Sequence, residues 1–166
     1  MSCYNFQVFP NLTKLSLNIQ NVLYPLGEFV VDAFQALNNL RDLKIKISSR
    51  PIGTVYIFKG LLELPSMEKF SLDLEFLKGE DWDLLGDFLR QQKQLESFSL
   101  RVQVRRGNRE RYLQQNEHLE NTLRALEGNF SLKNLTIRSC FWSLEALSGG
   151  LRPLNMNNQI QSFEFE

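Results

Sequence analysis

Residues 67–74 read MEKFSLDL and residues 95–102 read LESFSLRV. In both, apolar side chains take the first, fourth, sixth and eighth places, and polar ones fill the fifth and seventh. An alternation of period two is that of an extended strand with one buried face. The pattern apolar-x-x-apolar-x-apolar occurs six times, as Leu12-Leu15-Leu17, Leu40-Leu43-Ile45, Met67-Phe70-Leu72, Leu95-Phe98-Leu100, Leu132-Leu135-Ile137 and Ile160-Phe163-Phe165. Its first positions are separated by 28, 27, 28, 37 and 28 residues. Four intervals agree within one residue and the other carries about nine extra. A fixed period of this size marks a repeat, each unit being one supersecondary element that cannot bury its apolar face alone.

The second half of each unit changes to helical spacing. Val30 pairs with Phe34, Trp82 with Leu85 and Leu89, Leu119 with Leu123 and Leu126, and Leu147 with Leu151 and Leu154. Phe34, Leu62, Leu89 and Leu154 each lie 22 residues after their unit's first position, and Leu126 joins them once the insertion is discounted. Each unit is therefore strand, turn, helix, turn. Repetition predicts an α/β fold with six parallel strands side by side and about five helices outside, joined by right-handed crossovers. Strands are expected near 15–19, 43–47, 70–74, 98–102, 135–137 and 163–165. One buried row should hold Leu17, Ile45, Leu72, Leu100 and Ile137, and a second Phe34, Leu62, Leu89, Leu126 and Leu154.

Over residues 12–166 the chain resembles leucine-rich repeats of the ribonuclease-inhibitor type. The resemblance implies a solenoid, a horseshoe arc with parallel strands on the concave face and helices on the convex face. Residues 1–11 would be a short N-terminal cap and 12–166 the array, five repeats plus a final strand with an insertion within 101–131. The family places Asn or Cys at the ninth position, where it satisfies backbone groups in the turn after each strand. Here that position holds Gln20, Ser48, Glu75, Gln103 and Cys140, so only Cys140 matches.

Composition narrows the functions. The chain has 166 residues, enough for one domain with a core. Nineteen basic residues balance nineteen acidic ones, which favours neither nucleic acid nor a membrane surface. No apolar run approaches the ~20 residues of a membrane span. Residues Met1–Pro10 lack a basic n-region and an apolar h-region, so the expected location is intracellular, in the cytoplasm, with Cys3 and Cys140 reduced and unbridged. The sequons at Asn11, Asn129 and Asn134 then read as chance matches. A single histidine, His118, excludes any site that needs two; it follows Gln114-Gln115-Asn116-Glu117 and reads as an exposed helix residue. Glu80, Asp81 and Asp83 read as charges near a helix N-terminus. No phosphate-binding glycine loop, metal-ligand cluster or nucleophile–base pair is present, so no cofactor, no metal and no catalysis are expected.

Three places remain for a partner. On the strands, the residues between the apolar ones form polar stripes. The central stripe is Ser16, Lys44, Ser71, Ser99, Thr136 and Glu164. Beside it run Asn18, Lys46, Asp73, Arg101, Arg138 and Glu166, and on the other side Lys14, Asp42, Lys69, Ser97, Asn134 and Ser162. No aromatic residue stands on any stripe, so the face reads either as solvated polar sheet or as a polar docking surface. The insertion brings Arg101, Arg105, Arg106, Arg109 and Arg111, able to grip carboxylate or phosphate, or else a solvated cluster offset by Glu110, Glu117 and Glu120. Finally, Ile160, Phe163 and Phe165 lie on the last strand motif, where the expectation is that the chain continues or that this edge docks against another chain. The reading that follows is a non-catalytic protein-interaction scaffold, a subunit or adaptor of a larger assembly. The resemblance leaves two alternatives, a regulator of an enzyme such as a ribonuclease inhibitor or a Ran GTPase-activating protein, and the repeat part of a ubiquitin-ligase adaptor.

Overall fold

Each of the six motifs becomes a strand: β1 (Lys14–Ile19), β2 (Asp42–Ile47), β3 (Lys69–Leu74), β4 (Ser97–Val102), β5 (Asn134–Arg138) and β6 (Ser162–Phe165). Four helices separate the first five: α1 (Phe29–Gln35), α2 (Thr54–Leu62), α3 (Gly79–Gln91) and α4 (Arg109–Arg124). The computed structural model describes residues 9–20, 27, 29–47, 54–75, 77, 79–103, 109–138, 148–149, 151–152 and 160–165. The remaining residues, including Cys3, Cys140, Leu147, Leu154 and most of the expected cap, lie outside these.

The strands form one parallel sheet in the order β1-β2-β3-β4-β5-β6. Sequence neighbours are spatial neighbours throughout, as stacking of like units requires. The register joins equivalent positions of every unit, so that Leu17, Ile45, Leu72, Leu100, Ile137 and Phe165 form one continuous row. A second regularity closes each unit. The carbonyls of Thr13, Arg41, Glu68, Glu96 and Lys133 each accept two N–H groups at the start of the next strand, from Arg41 and Asp42, Glu68 and Lys69, Glu96 and Ser97, Lys133 and Asn134, and Gln161 and Ser162. The pattern survives the 37-residue interval unchanged. The extra chain lies between β4 and β5, where α4 has 16 residues against the 13 of α3 and the stretch from helix to next strand is also longer.

One sheet face packs with the helices into a single apolar core. Phe70 lies parallel to its register partner Phe98 at 6.0 Å and meets Phe88 of α3 edge-on at 4.9 Å, a favoured aromatic geometry. Of the expected rows, Ile45, Leu72, Leu100, Ile137, Phe34, Leu89 and Leu126 are buried. Leu17 is half-buried on the terminal strand β1. Leu62 corrects the second row: it is half-buried, and Leu61 takes the buried place. The unit starting at Leu40 is the one with 27 residues, so its helix arrives one residue early and Leu61 aligns with Phe34 and Leu89.

The helices start and stop for local reasons. α3 opens with Glu80 and Asp81 and carries Arg90 in its last turn, both favourable to the macrodipole. α2 ends at Leu62, before Pro65, whose ring disfavours helical geometry in the preceding residue. Gly60 lets α1 and α2 approach, since a Cβ there would stand 2.8 Å from the Phe34 ring.

Candidate functional site

The sheet face opposite α1–α4 presents the three polar stripes at the places the alternation assigns. Lys14, Ser16, Asn18, Lys44, Lys46, Lys69 and Arg101 are exposed, while Ser71, Asp73, Ser99, Thr136 and Arg138 are half-exposed. The cross-strand register sets their neighbours: Lys14, Asp42 and Lys69 stand side by side, as do Lys46, Asp73 and Arg101. The centre runs Ser16, Lys44, Ser71, Ser99, Thr136, Glu164. Gln103 donates to the Asp73 carboxylate at 3.2 Å, and Arg138 pairs with Glu164 at 2.5 Å. At the strand entry Lys133 binds Glu96 at 2.8 Å. The Lys133 hydrogen bond and charge, with a smaller contribution from Lys69, hold the Glu96 carboxyl below its ordinary range.

Two of the ninth-position side chains turn back to side chains of the strands. Gln103 reaches back to Asp73, and Gln20 to Asn18 at 3.1 Å; Ser48 and Cys140 lie outside the described residues. Polar bracing sits at the opposite turns, between helix and next strand. There the buried row Leu37, Leu64 continues as Gln92 and Asn129, each three residues before the next motif. The Gln92 side-chain carbonyl accepts from Met67 N–H at 2.7 Å. Asn129 Nδ2 donates to the Gln92 carbonyl at 2.6 Å, and its Oδ1 accepts from Ser131 N–H at 2.8 Å. Sequence reasoning missed both residues; the signal is an amide at a place where earlier units hold leucine.

The structure also places the acidic start of α3 and part of the arginine cluster, and it corrects the exposed reading of His118. Asp81 stands in the first turn of α3, the helix N-terminus expected for it, and is buried there, where the Thr54 hydroxyl at the start of α2 donates to its carboxylate at 3.2 Å and ties two helix starts together. His118 is half-buried: Leu119 and Leu123 draw α4 against α3, and the imidazole lies parallel to Trp82 with ring centroids 6.2 Å apart. Of the arginine cluster, Arg101 is on β4 and belongs to the sheet face. Arg105 and Arg106, and the side chains of Arg109 and Arg111 in the first turn of α4, lie outside the described residues.

Ile160, just before β6, and Phe165 on it are half-buried against the core, and Phe163 is 45% exposed. A hollow on the helical side, about 360 Å³ and open to solvent, lies between α1 and α2 over Val31, Tyr56 and Leu62. Among the described residues no three His, Cys, Asp or Glu side chains gather as a metal site, and no helix is long and apolar enough to cross a membrane.

No protein-family model matches the chain, and no curated protein matches it by sequence. Among solved structures it is similar to a tropomodulin C-terminal domain from Caenorhabditis elegans, with 19% identity and a TM-score of 0.50 over 94% of this chain and 90% of that one. At that identity the likeness is one of fold: an α/β arrangement of parallel strands alternating with helices.

Proposed function

We propose that the chain is a leucine-rich-repeat solenoid, curved as a horseshoe arc with the sheet on its concave side. In this reading it is an intracellular, non-catalytic scaffold that holds a protein partner. The observation that carries the reading is the polar sheet face, where five in-register strand junctions line up unlike side chains at fixed spacing, with no helix over them among the described residues. A surface of that kind offers many weak, directional contacts to a broad partner, and its rigidity lowers the ordering cost of binding. The exposed Phe163 on β6 supplies a second, apolar contact place at the end of the sheet.

The test is affinity capture from native extract with lysine cross-linking. Cross-links from Lys14, Lys44, Lys46 and Lys69 to one stable multi-subunit complex are expected. A single enzyme as partner favours the regulator, and a cullin-type ligase the adaptor. Partner cross-links confined to α1–α4 would overturn the assignment of the sheet face.

A further inference from the structure

We infer that the sheet face is a receptor for an acidic polypeptide segment; this rests on the sheet face being the partner-binding surface. The charge of the molecule is sorted by side. The chain as a whole is neutral. Its six strands carry six basic residues against three acidic ones, and every one of these charges stands on the polar face. The four helices carry eight acidic residues against five basic ones. The six strands are therefore net positive by three and the helices α1–α4 net negative by three, a separation that the overall composition conceals.

The arrangement on the face says more than the sum. Asp42 lies between Lys14 and Lys69 in register, and Asp73 between Lys46 and Arg101. Each triplet sums to one positive charge. Arg138 and Glu164 form a closed pair. Lys44 stands in the central row between Ser16 and Ser71, so neither of its register neighbours is acidic. Among the described residues Lys14, Lys44, Lys46 and Arg101 make no ion pair within 4.0 Å. The entry rim is neutral, Arg41 and Lys133 against Glu68 and Glu96, and the exit rim adds the half-buried Glu75. The result is a positive path from Lys44 and Lys46 to Arg101, floored by the hydroxyls of Ser71, Ser99 and Thr136, which donate hydrogen bonds to carboxylates.

The same details select a polypeptide over a nucleic acid. Asp42 and Asp73 interrupt the basic residues, so a continuous phosphate backbone would meet repulsion at regular steps. No aromatic side chain stands on the stripes to stack a base, which single-strand binders use. A segment with spaced carboxylates can reach Lys44, Lys46 and Arg101 and leave the aspartates facing its gaps.

The experiment is an NMR titration of the 166-residue chain with poly-L-glutamate at low salt, with poly-L-lysine and a duplex DNA as comparison probes. Amide shifts centred on Lys44, Ser71, Ser99 and Arg101 are expected with poly-L-glutamate, weakening as salt rises. The double variant Lys44→Glu with Lys46→Glu should lower the affinity at least ~10-fold, since two exposed charges are each reversed. Asp73→Asn should raise it, which keeps the test decisive if the double variant folds poorly. Absence of shifts, shifts confined to α4, tighter binding of DNA, or shifts that follow protein concentration alone would each overturn the inference. A captured partner whose cross-linked segment is not acidic would also overturn it while leaving the scaffold reading intact.

Discussion

Gln92 and Asn129 carry the sharpest consequences at the scale of single residues. Asn129→Ala removes the buried bond to the Gln92 main-chain carbonyl and the half-buried bond from the Ser131 N–H, and each group left unsatisfied costs about 1–3 kcal/mol. A loss of ~2–4 kcal/mol in urea denaturation is the expected outcome. Gln92→Leu strands only the Met67 N–H and places at that position the leucine of the earlier units, so the apolar gain offsets most of the loss. Its net effect should stay within ~1 kcal/mol. Glu96 gives a pH dependence of defined sign. Its folded-state carboxyl titrates below its unfolded value because of Lys133. The contribution is therefore present above the ordinary glutamate range and is lost as pH falls through the lowered folded value. Denaturation of wild type and Glu96→Gln across pH 3–7 should show a difference near neutrality that closes toward the acid end. The pair is half-exposed, so added salt should shrink the difference.

For elements, the decisive contrast is between the two leucines at the end of α2. Leu61→Ala empties a closed part of the core and should cost ~2–5 kcal/mol, as should Leu72→Ala on β3, whereas Leu62→Ala removes a half-exposed side chain and should cost under ~1 kcal/mol. Equal losses would place the helix register wrongly. Gly60→Ala sets two effects against each other. Alanine favours the helix by about 1 kcal/mol over glycine. The added methyl, however, meets Phe34 at 2.8 Å, and core overpacking costs about 1–3 kcal/mol. Net destabilisation is expected, with a larger loss for Gly60→Val, measured as a falling denaturation midpoint. These cases also show what the sequence makes legible. Period two assigns every strand and its faces, because a strand side chain can point only two ways, and the polar stripes follow directly. The helix phase was read by counting forward from the strand, and a one-residue difference in a turn moved Leu62 out of the core and Leu61 into it. Gln92, Asn129 and the burial of Asp81 were illegible for a different reason: polar residues in buried rows are satisfied by backbone or hydroxyl groups that only the fold brings near.

On the scale of the whole molecule, stability follows the stacking. In a quasi-one-dimensional array each unit is held by its two neighbours, so interior units are secured from both sides and terminal ones from one. Burial tracks this. The core-facing residues of β2 to β5 are closed off, those of β1 are only half-buried, and Phe163 of β6 is 45% exposed. Hydrogen exchange of the 166-residue chain should therefore be graded along the sheet, slowest in β3 and β4 and fastest in β1 and β6, with intermediate rates in β2 and β5. The inter-unit carbonyl pairs make the reading direct, because the N–H groups of Arg41 and Asp42 report the β1–β2 junction and those of Gln161 and Ser162 the β5–β6 junction. Uniform protection through residue 165 would mean that the whole sheet opens only as one unit, and the graded picture would fail. A partner on the polar face touches several strands at once and should slow exchange across β2 to β5 together. A partner at the β6 edge should instead slow Gln161 to Phe165 alone, so one measurement separates the two contact places.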